Sequence, residues 1–170
     1  PNPETAMQLS VLIPTHRRSD TLRRCLQCIE RQTVLDMLEV IVVSDGPDSR
    51  TDEMMMEMEW RFPFQYFAIP KSQQGVCRNR AVGKARGELV LLIGDDILLD
   101  PGACEYHLRA HEEMRNKKLE IKNTVAVLGF TTWDPALEVT PLMKWMEKSG
   151  VQFGYAGKKA GLCDYIPYIT

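Results

Sequence analysis

The stretch LVLLIGDDILLDPG, residues 89–102, indicates both a class of fold and the chemistry at one edge of it. Five consecutive apolar residues are typical of a buried strand, and after one glycine two adjacent carboxylates follow, Asp95 and Asp96. Unpaired charge beside a core is costly, so the pair needs either a cation or hydrogen-bond donors. Carboxylate oxygen suits a hard divalent ion, Mg2+ or Mn2+, which also binds phosphate. A turn that leads into a helix is the alternative interpretation of the same residues.

The rest of the chain repeats the pattern of a short apolar run followed by a helical segment. Four more runs predict strands, at residues 9–13, 39–44, 66–69 and 125–130. Helical patterns lie between them, at about residues 19–32, 49–60, 75–86 and 101–117. Because the runs are continuous rather than alternating, we expect a parallel sheet covered on both faces. The order predicts an α/β fold, a Rossmann-like, doubly wound, mainly parallel sheet with flanking helices.

Composition excludes several classes of protein. A formal net charge of -2 over 170 residues gives no basic face for nucleic acid. No apolar run approaches the ~18 residues that cross a bilayer. Five scattered cysteines argue against a disulfide framework and for a reducing cytoplasm. Cys25 and Cys28 form a C-x-x-C, which could serve redox chemistry or zinc, but they fall on an apolar helical stripe and predict buried structural thiols.

Polar residues follow three of the predicted strands. The segments are PTHRR (14–18), SDGPD (44–48) and GDD (94–96). In open α/β sheets, ligands bind at the carboxyl ends of the strands, so Thr15, Asp45, Asp95 and Asp96 are expected to face one cleft. Each segment also has an ordinary interpretation, as a turn or as a solvated basic loop.

An arginine-rich helix pattern, GVCRNRAVGKARGE (75–88), precedes the fourth predicted strand. Arg78 and Asn79 lie at the start of that helix, where they can meet a nucleotide base or a phosphate. Lys84 and Arg86 are better explained as a solvated face.

These blocks, in this order and spacing, resemble glycosyltransferase family 2, of the GT-A fold, over roughly residues 8–115. The resemblance implies that Pro14, Thr15 and Asp45 hold the base of a sugar nucleotide, with His16 or Arg17 beside them.

The resemblance also assigns the two later blocks. The family's Ala-Arg-Asn element corresponds to CRN (77–79), which implies that Arg78 and Asn79 contact the base or the diphosphate. The family's D-x-D or D-D motif corresponds to Asp95 and Asp96, with Asp96 as the direct ligand of Mn2+ or Mg2+ and Asp95 on the ribose or a metal-bound water. Many members read Asp-Ser-Asp-Asp where this chain reads GDDI (94–97), so the outer carboxylate is missing.

The function that the resemblance implies is an inverting glycosyltransferase, which moves a sugar from a nucleotide-diphosphate donor, most often a UDP-sugar, to a hydroxyl of a polysaccharide, lipid or protein glycan. The alternatives are a donor-binding fragment without turnover and a sugar-nucleotide pyrophosphorylase, although PTHRRSD lacks the glycines of a phosphate loop. No residue is identified as the acceptor base, so the catalytic residue stays unassigned.

The resemblance also predicts how the chain is organised. We expect residues 1–130 to form the nucleotide-sugar-binding domain and residues 131–170 to begin an acceptor-side region that continues beyond this sequence. We expect a cytoplasmic protein without a transmembrane segment, peripheral to a membrane if it is part of a longer chain.

Overall fold

A parallel four-stranded sheet forms the centre of the fold. The computed structural model describes residues 7–116, 125–153 and 161. The strand order is β3-β2-β1-β4, and every neighbouring pair is parallel. The strands are β1 (Leu9–Thr15), β2 (Leu38–Asp45), β3 (Phe64–Ile69) and β4 (Leu89–Leu92).

Helices that precede residue 117 cover both faces of this sheet, namely α1 (Ser19–Ile29), α2 (Ser49–Glu57), α3 (Gln74–Val82) and α4 (Ala103–Asn116). The described residues also form a 3-10 turn at Leu35–Met37 and, farther along the chain, helix α5 (Pro141–Ser149). Because side chains alternate along a strand, β1 and β2 contribute to two separate cores. Val11 and Ile13 pack with residues of α1 and α2, whereas Leu12 packs with Cys77 and Ala81 of α3. The predicted doubly wound α/β fold is confirmed.

The C-x-x-C segment lies inside the larger core. In α1, Leu22, Cys25, Leu26 and Ile29 are completely buried, as their helical spacing requires. Cys28 is buried as well, and both cysteines are free thiols. Burial raises the pKa of the Cys25 thiol strongly. The predicted structural role of the pair agrees with this packing.

The fifth predicted strand, at residues 125–130, is wrong. These residues have no strand conformation, and the sheet of the described chain ends at β4. An apolar sequence becomes a strand only when a neighbour pairs with its backbone, and propensity alone does not supply that neighbour. Edge strand β4 is also less covered than predicted, because Val90 is 41% exposed and Leu92 is 49% exposed.

A buried carboxylate fixes the loop before β4 at the amino end of the sheet. Glu39 is 1% exposed and accepts hydrogen bonds from Ser10 Oγ (2.7 Å), the Arg86 backbone N–H (2.6 Å) and Arg86 Nε (2.8 Å). The Gly87 N–H donates to Ser10 Oγ at 2.9 Å. Burial alone would raise the pKa of Glu39, but these donors hold it below its usual value. Arg86, predicted as part of a solvated face, is therefore a structural partner.

The chain divides into two compact units, residues 1–129 and residues 130–170. In the second unit, the Thr140 hydroxyl caps α5 by accepting from the Met143 N–H, and Gly150 ends the helix with a φ of 76°. None of the described helices is both long enough and apolar enough to span a membrane. Cys163 lies outside the described residues.

Candidate functional site

The carboxyl ends of the parallel strands meet at one edge of the sheet, as the sequence predicts. β1 ends at Thr15 and β2 at Asp45, while Asp95 follows β4, which lies beside β1. Thr15 and Asp95 contact each other directly, with Thr15 Oγ1 donating to Asp95 Oδ2 at 2.7 Å. This hydrogen bond joins the ends of two neighbouring strands through residues that are 80 positions apart in the chain.

Arg18 forms ion pairs with both adjacent carboxylates. Its Nε donates to Asp95 Oδ2 at 3.2 Å, its Nη2 pairs with Asp95 Oδ1, and its Nη1 donates to Asp96 Oδ2 at 3.2 Å. The Asp95 side chain is 0% exposed, whereas that of Asp96 is 55% exposed. Burial raises the pKa of Asp95, and the Thr15 hydroxyl and the Arg18 charge oppose that rise.

The sequence prediction did not assign Arg18 a role. The chain turns sharply between β1 and α1, where Arg17 takes a left-handed conformation with a φ of 53°. Such a φ is uncommon for a residue other than glycine and is concentrated at functional sites. Arg18 then occupies the position before the first residue of α1. The available signal was its place in PTHRR (14–18) at a strand end, but the pattern does not specify which arginine turns inward.

Asp45 has partners from the loop after β3. Lys71 Nζ donates to its Oδ2 at 2.5 Å and the Ser72 backbone N–H to its Oδ1 at 2.6 Å. These hydrogen bonds, with smaller contributions from the charges of Lys71 and His16, hold the pKa of Asp45 below its usual range. The prediction missed Lys71, although the strand-end rule applies to it, because β3 ends two residues earlier at Ile69.

The helix predicted to contact a nucleotide starts beside the same edge. Cys77 of α3 is buried, and the pKa of its thiol is raised by burial and by the nearby Asp45 charge. Arg78 is half-buried, and its Nε is a buried nitrogen without a hydrogen-bond partner among the described residues. A buried unpaired donor is unusual and suits a ligand contact. Asn79 is exposed.

The remaining predicted residues lie at the end of β1. Pro14 is buried within the strand, whereas His16 and Arg17 are exposed just beyond it. The structure therefore brings Thr15 and Asp95 into contact and places Asp96 on the same arginine, while Asp45 forms a separate cluster with Lys71 at the neighbouring strand end.

Gly94 leaves room for the Asp96 carboxylate. A Cβ atom at Gly94 would lie 2.6 Å from Asp96 Oδ1, which is closer than side-chain atoms tolerate. The close approach of Asp96 to the backbone therefore depends on the absence of a side chain at Gly94.

The acidic pair fits one mode of divalent metal binding. Mg2+ is commonly held by one or two carboxylates, with phosphate and water oxygens completing its coordination. Asp95 and Asp96 offer that donor chemistry, and Asp96 is the more accessible of the two. Among the described residues, no group of three or more His, Cys, Asp or Glu side chains is arranged to hold a metal. The described residues alone do not form a closed cage, so further oxygen ligands would have to complete the coordination of a metal.

The family model described as "Glycosyl transferase family 2" matches residues 10–118, which is more than half of the chain. The chain belongs to glycosyl transferase family 2. A relative from Bacillus subtilis, the "Uncharacterized glycosyltransferase YfnE", is 30% identical over 112 residues, covering 65% of this chain and 28% of YfnE. The chain thus spans less than a third of the length of that relative.

Solved structures share the fold of this family 2 chain. Staphylococcus aureus TarS 1-349 in complex with UDP-GlcNAc has a TM-score of 0.60 at 22% identity, covering 64% of this chain and 32% of the TarS chain. Pyrobaculum calidifontis mannosyltransferase PcManGT in complex with GDP-Man and Mn2+ has a TM-score of 0.50 at 23% identity, covering 58% and 30%. The GT-A type fold predicted from the sequence is confirmed by these similarities.

Proposed function

We propose that this chain binds a nucleotide-diphosphate sugar at the carboxyl edge of its sheet and forms the donor side of an inverting glycosyltransferase. The observation that carries the proposal is the junction of Thr15, Asp95, Asp96 and Arg18, which places two carboxylates between neighbouring strand ends. Family membership supports glycosyl transfer as the reaction, and the TarS complex with UDP-GlcNAc supports a UDP-sugar as the donor.

The residues divide into a base end and a diphosphate end. Asp45, with Pro14, Thr15, His16 and Arg17 near it, forms the base end. A carboxylate whose pKa is held low stays ionised at neutral pH and can accept an N–H from a nucleobase. Lys71 would have to share Asp45 with that base or leave it.

The diphosphate end comprises the acidic pair and the start of α3. Asp96, with Asp95, would hold Mn2+ or Mg2+, which supplies Lewis-acid stabilisation of the departing diphosphate. Arg78 offers an unpaired N–H to a phosphate oxygen or to the base, and Asn79 offers an amide. The acceptor hydroxyl must lose a proton as it attacks, and no described residue is assigned as the base.

Calorimetric titration of UDP and GDP, with and without Mn2+, tests the proposal. We expect binding of UDP to depend on Mn2+ and to weaken at least about tenfold in Asp96→Ala, because the accessible metal ligand is lost. Asp36→Ala is the matched control, since it removes an exposed carboxylate next to the amino end of β2.

Two results would contradict parts of the proposal. Binding of UDP that is unaffected by Mn2+ and by Asp96→Ala would exclude the acidic pair from the donor site. Donor binding without any transfer to sugar, lipid or peptide hydroxyls would restrict the chain to donor binding.

A further inference from the structure

The guanidinium of Arg18 occupies the position from which a cation would neutralise the acidic pair. It reaches both carboxylates at once, with Nε and Nη2 on Asp95 and Nη1 on Asp96. Its own side chain is 50% exposed, so it is not locked by the core and has solvent into which it can move. The other two partners differ in this respect, because Thr15 is 3% exposed and Asp95 is 0% exposed.

The three charged groups set the electrostatic balance of the site. With Asp95 and Asp96 ionised and Arg18 in place, the site has a formal charge of -1, and without Arg18 the charge would be -2. A divalent cation is therefore attracted less strongly while Arg18 is present, and it must also take over carboxylate oxygens that the guanidinium contacts. Asp96 is the more readily released partner, because it has a single contact of 3.2 Å to Arg18 and is more than half exposed.

We propose that Arg18 is an internal counter-cation for Asp95 and Asp96, which competes with a divalent metal and is displaced from Asp96 when metal and donor diphosphate bind together. This proposal rests on the donor site proposed above. In the free chain, Arg18 keeps two adjacent carboxylates from repelling each other and holds Asp95 beside Thr15. Metal without diphosphate binds weakly, because it has to displace a cation that already satisfies the pair. A diphosphate favours the exchange, because it brings oxygen ligands for the metal and an anion for the released guanidinium.

A positioning role alone makes the opposite prediction. If Arg18 only oriented the carboxylates for metal, its removal would scatter them and weaken metal binding. Competition and positioning therefore differ in the sign of the change in metal affinity.

Mn2+ binding to the free chain, measured by electron paramagnetic resonance without nucleotide, decides between them. We expect Arg18→Gln to bind Mn2+ about three- to tenfold more tightly than the wild-type chain, because one competing charge is lost. Arg18→Lys keeps the charge but loses the simultaneous contact with both carboxylates, so its Mn2+ affinity should lie between those of the wild-type chain and Arg18→Gln. Arg50→Gln removes an equal charge from an exposed pair with Asp20 at 3.5 Å and should match the wild-type chain.

Thermal unfolding of the same variants provides a second readout. Without divalent ions, Arg18→Gln should melt below the wild-type chain, and saturating Mn2+ should raise its Tm by more than it raises the wild-type Tm. Arg18→Lys retains a cation at the pair, so it tests the proposal even if Arg18→Gln fails to fold.

The outcomes separate this proposal from the one it rests on. If UDP binding depends on Mn2+ and on Asp96, but Arg18→Gln and Arg18→Lys bind Mn2+ as weakly as the wild-type chain or more weakly, the competition is refuted and the donor site stands. If neither the wild-type chain nor any variant shows metal-dependent UDP binding, the donor site itself is refuted. Tighter Mn2+ binding in Arg18→Gln, with Arg50→Gln unchanged, supports the counter-cation.

Discussion

Gly94 determines where the Asp96 carboxylate can lie. In Gly94→Ala, the new methyl group would approach Asp96 Oδ1 to 2.6 Å, and this side chain, being more than half exposed, can rotate away. We therefore expect the stability of the fold to stay close to that of the wild-type chain. We expect the affinity for UDP in the presence of Mn2+ to fall by about three- to tenfold, because the Asp96 carboxylate is displaced from the position in which it would bind the metal. Calorimetry for binding and thermal unfolding for stability measure the two effects.

The matched control for this substitution is Gly83→Ala. A Cβ there meets only ordinary contacts, the nearest being Arg80 O at 3.6 Å, and the backbone φ of -66° is one that alanine adopts readily. It should leave nucleotide binding unchanged and stabilise the fold slightly, by about 0.4–1 kcal/mol. Full retention of UDP and Mn2+ affinity in Gly94→Ala would show that the close approach of Asp96 is irrelevant to binding.

At the scale of single residues, the sequence predicts the type of group better than its partners. Thr15, Asp45 and Asp95 can be predicted at one edge because parallel strands end there. Arg18 and Lys71 were not assigned, because their roles depend on the direction of a long side chain in a loop. Arg17, with its left-handed backbone, sends the chain into α1 in a way that no periodicity specifies.

At the scale of elements, the buried strands are the most predictable part of the fold. β1 and β2 extend their predicted apolar runs by only one or two residues, since a strand buried on both faces consists mostly of apolar residues. Residues 125–130 are a similar apolar run in the sequence but form no strand. The difference lies in hydrogen-bonding partners, which are a property of the whole sheet.

Glu39 connects three elements and gives the fold a pH dependence that can be measured. Glu39→Gln keeps the shape but replaces a charged acceptor of three hydrogen bonds, so we expect a loss of about 1–3 kcal/mol in the free energy of unfolding at neutral pH. The folded pKa of Glu39 is lower than its unfolded value, so its contribution is fully present above the unfolded pKa of about 4.3 and is lost as the pH falls through the folded pKa. Urea unfolding from pH 7 to pH 3 should therefore show the two proteins converging at the acidic end.

The control for Glu39 is Glu88→Gln. Glu88 has a 72% exposed side chain and a long contact of 3.8 Å to Arg115, so its substitution should change the stability by less than about 0.5 kcal/mol at every pH. A stability difference for Glu39→Gln that stays constant down to pH 3 would mean that its charge is not what stabilises the loop.

At the scale of the whole molecule, the buried core and the predicted site belong to the same unit. The fully buried apolar side chains lie between Leu9 and Cys104, and none of the described residues from 130 onward is buried. The carboxyl edge is therefore built on the part of the described chain that contains the buried core. A site that must hold charged groups at fixed distances needs such support, because mobile side chains would lose entropy on binding.

Substituting a leucine by alanine in each unit tests whether the stability of the fold resides mainly in the first unit. Leu26→Ala in α1 removes a completely buried side chain and should lower the free energy of unfolding by about 2–5 kcal/mol, because it leaves a cavity. Leu142→Ala in α5 removes a side chain that is 64% exposed and should cost less than about 0.5 kcal/mol. Denaturant unfolding, with UDP and Mn2+ present and absent, measures both losses of unfolding free energy.

The same titrations show whether the nucleotide site is intact in the second-unit variant. Because ligand binds only the folded state, the nucleotide should raise the transition midpoint of Leu142→Ala as much as that of the wild-type chain. Similar losses for the two variants would show that the second unit stabilises the fold far more than its exposed side chains indicate.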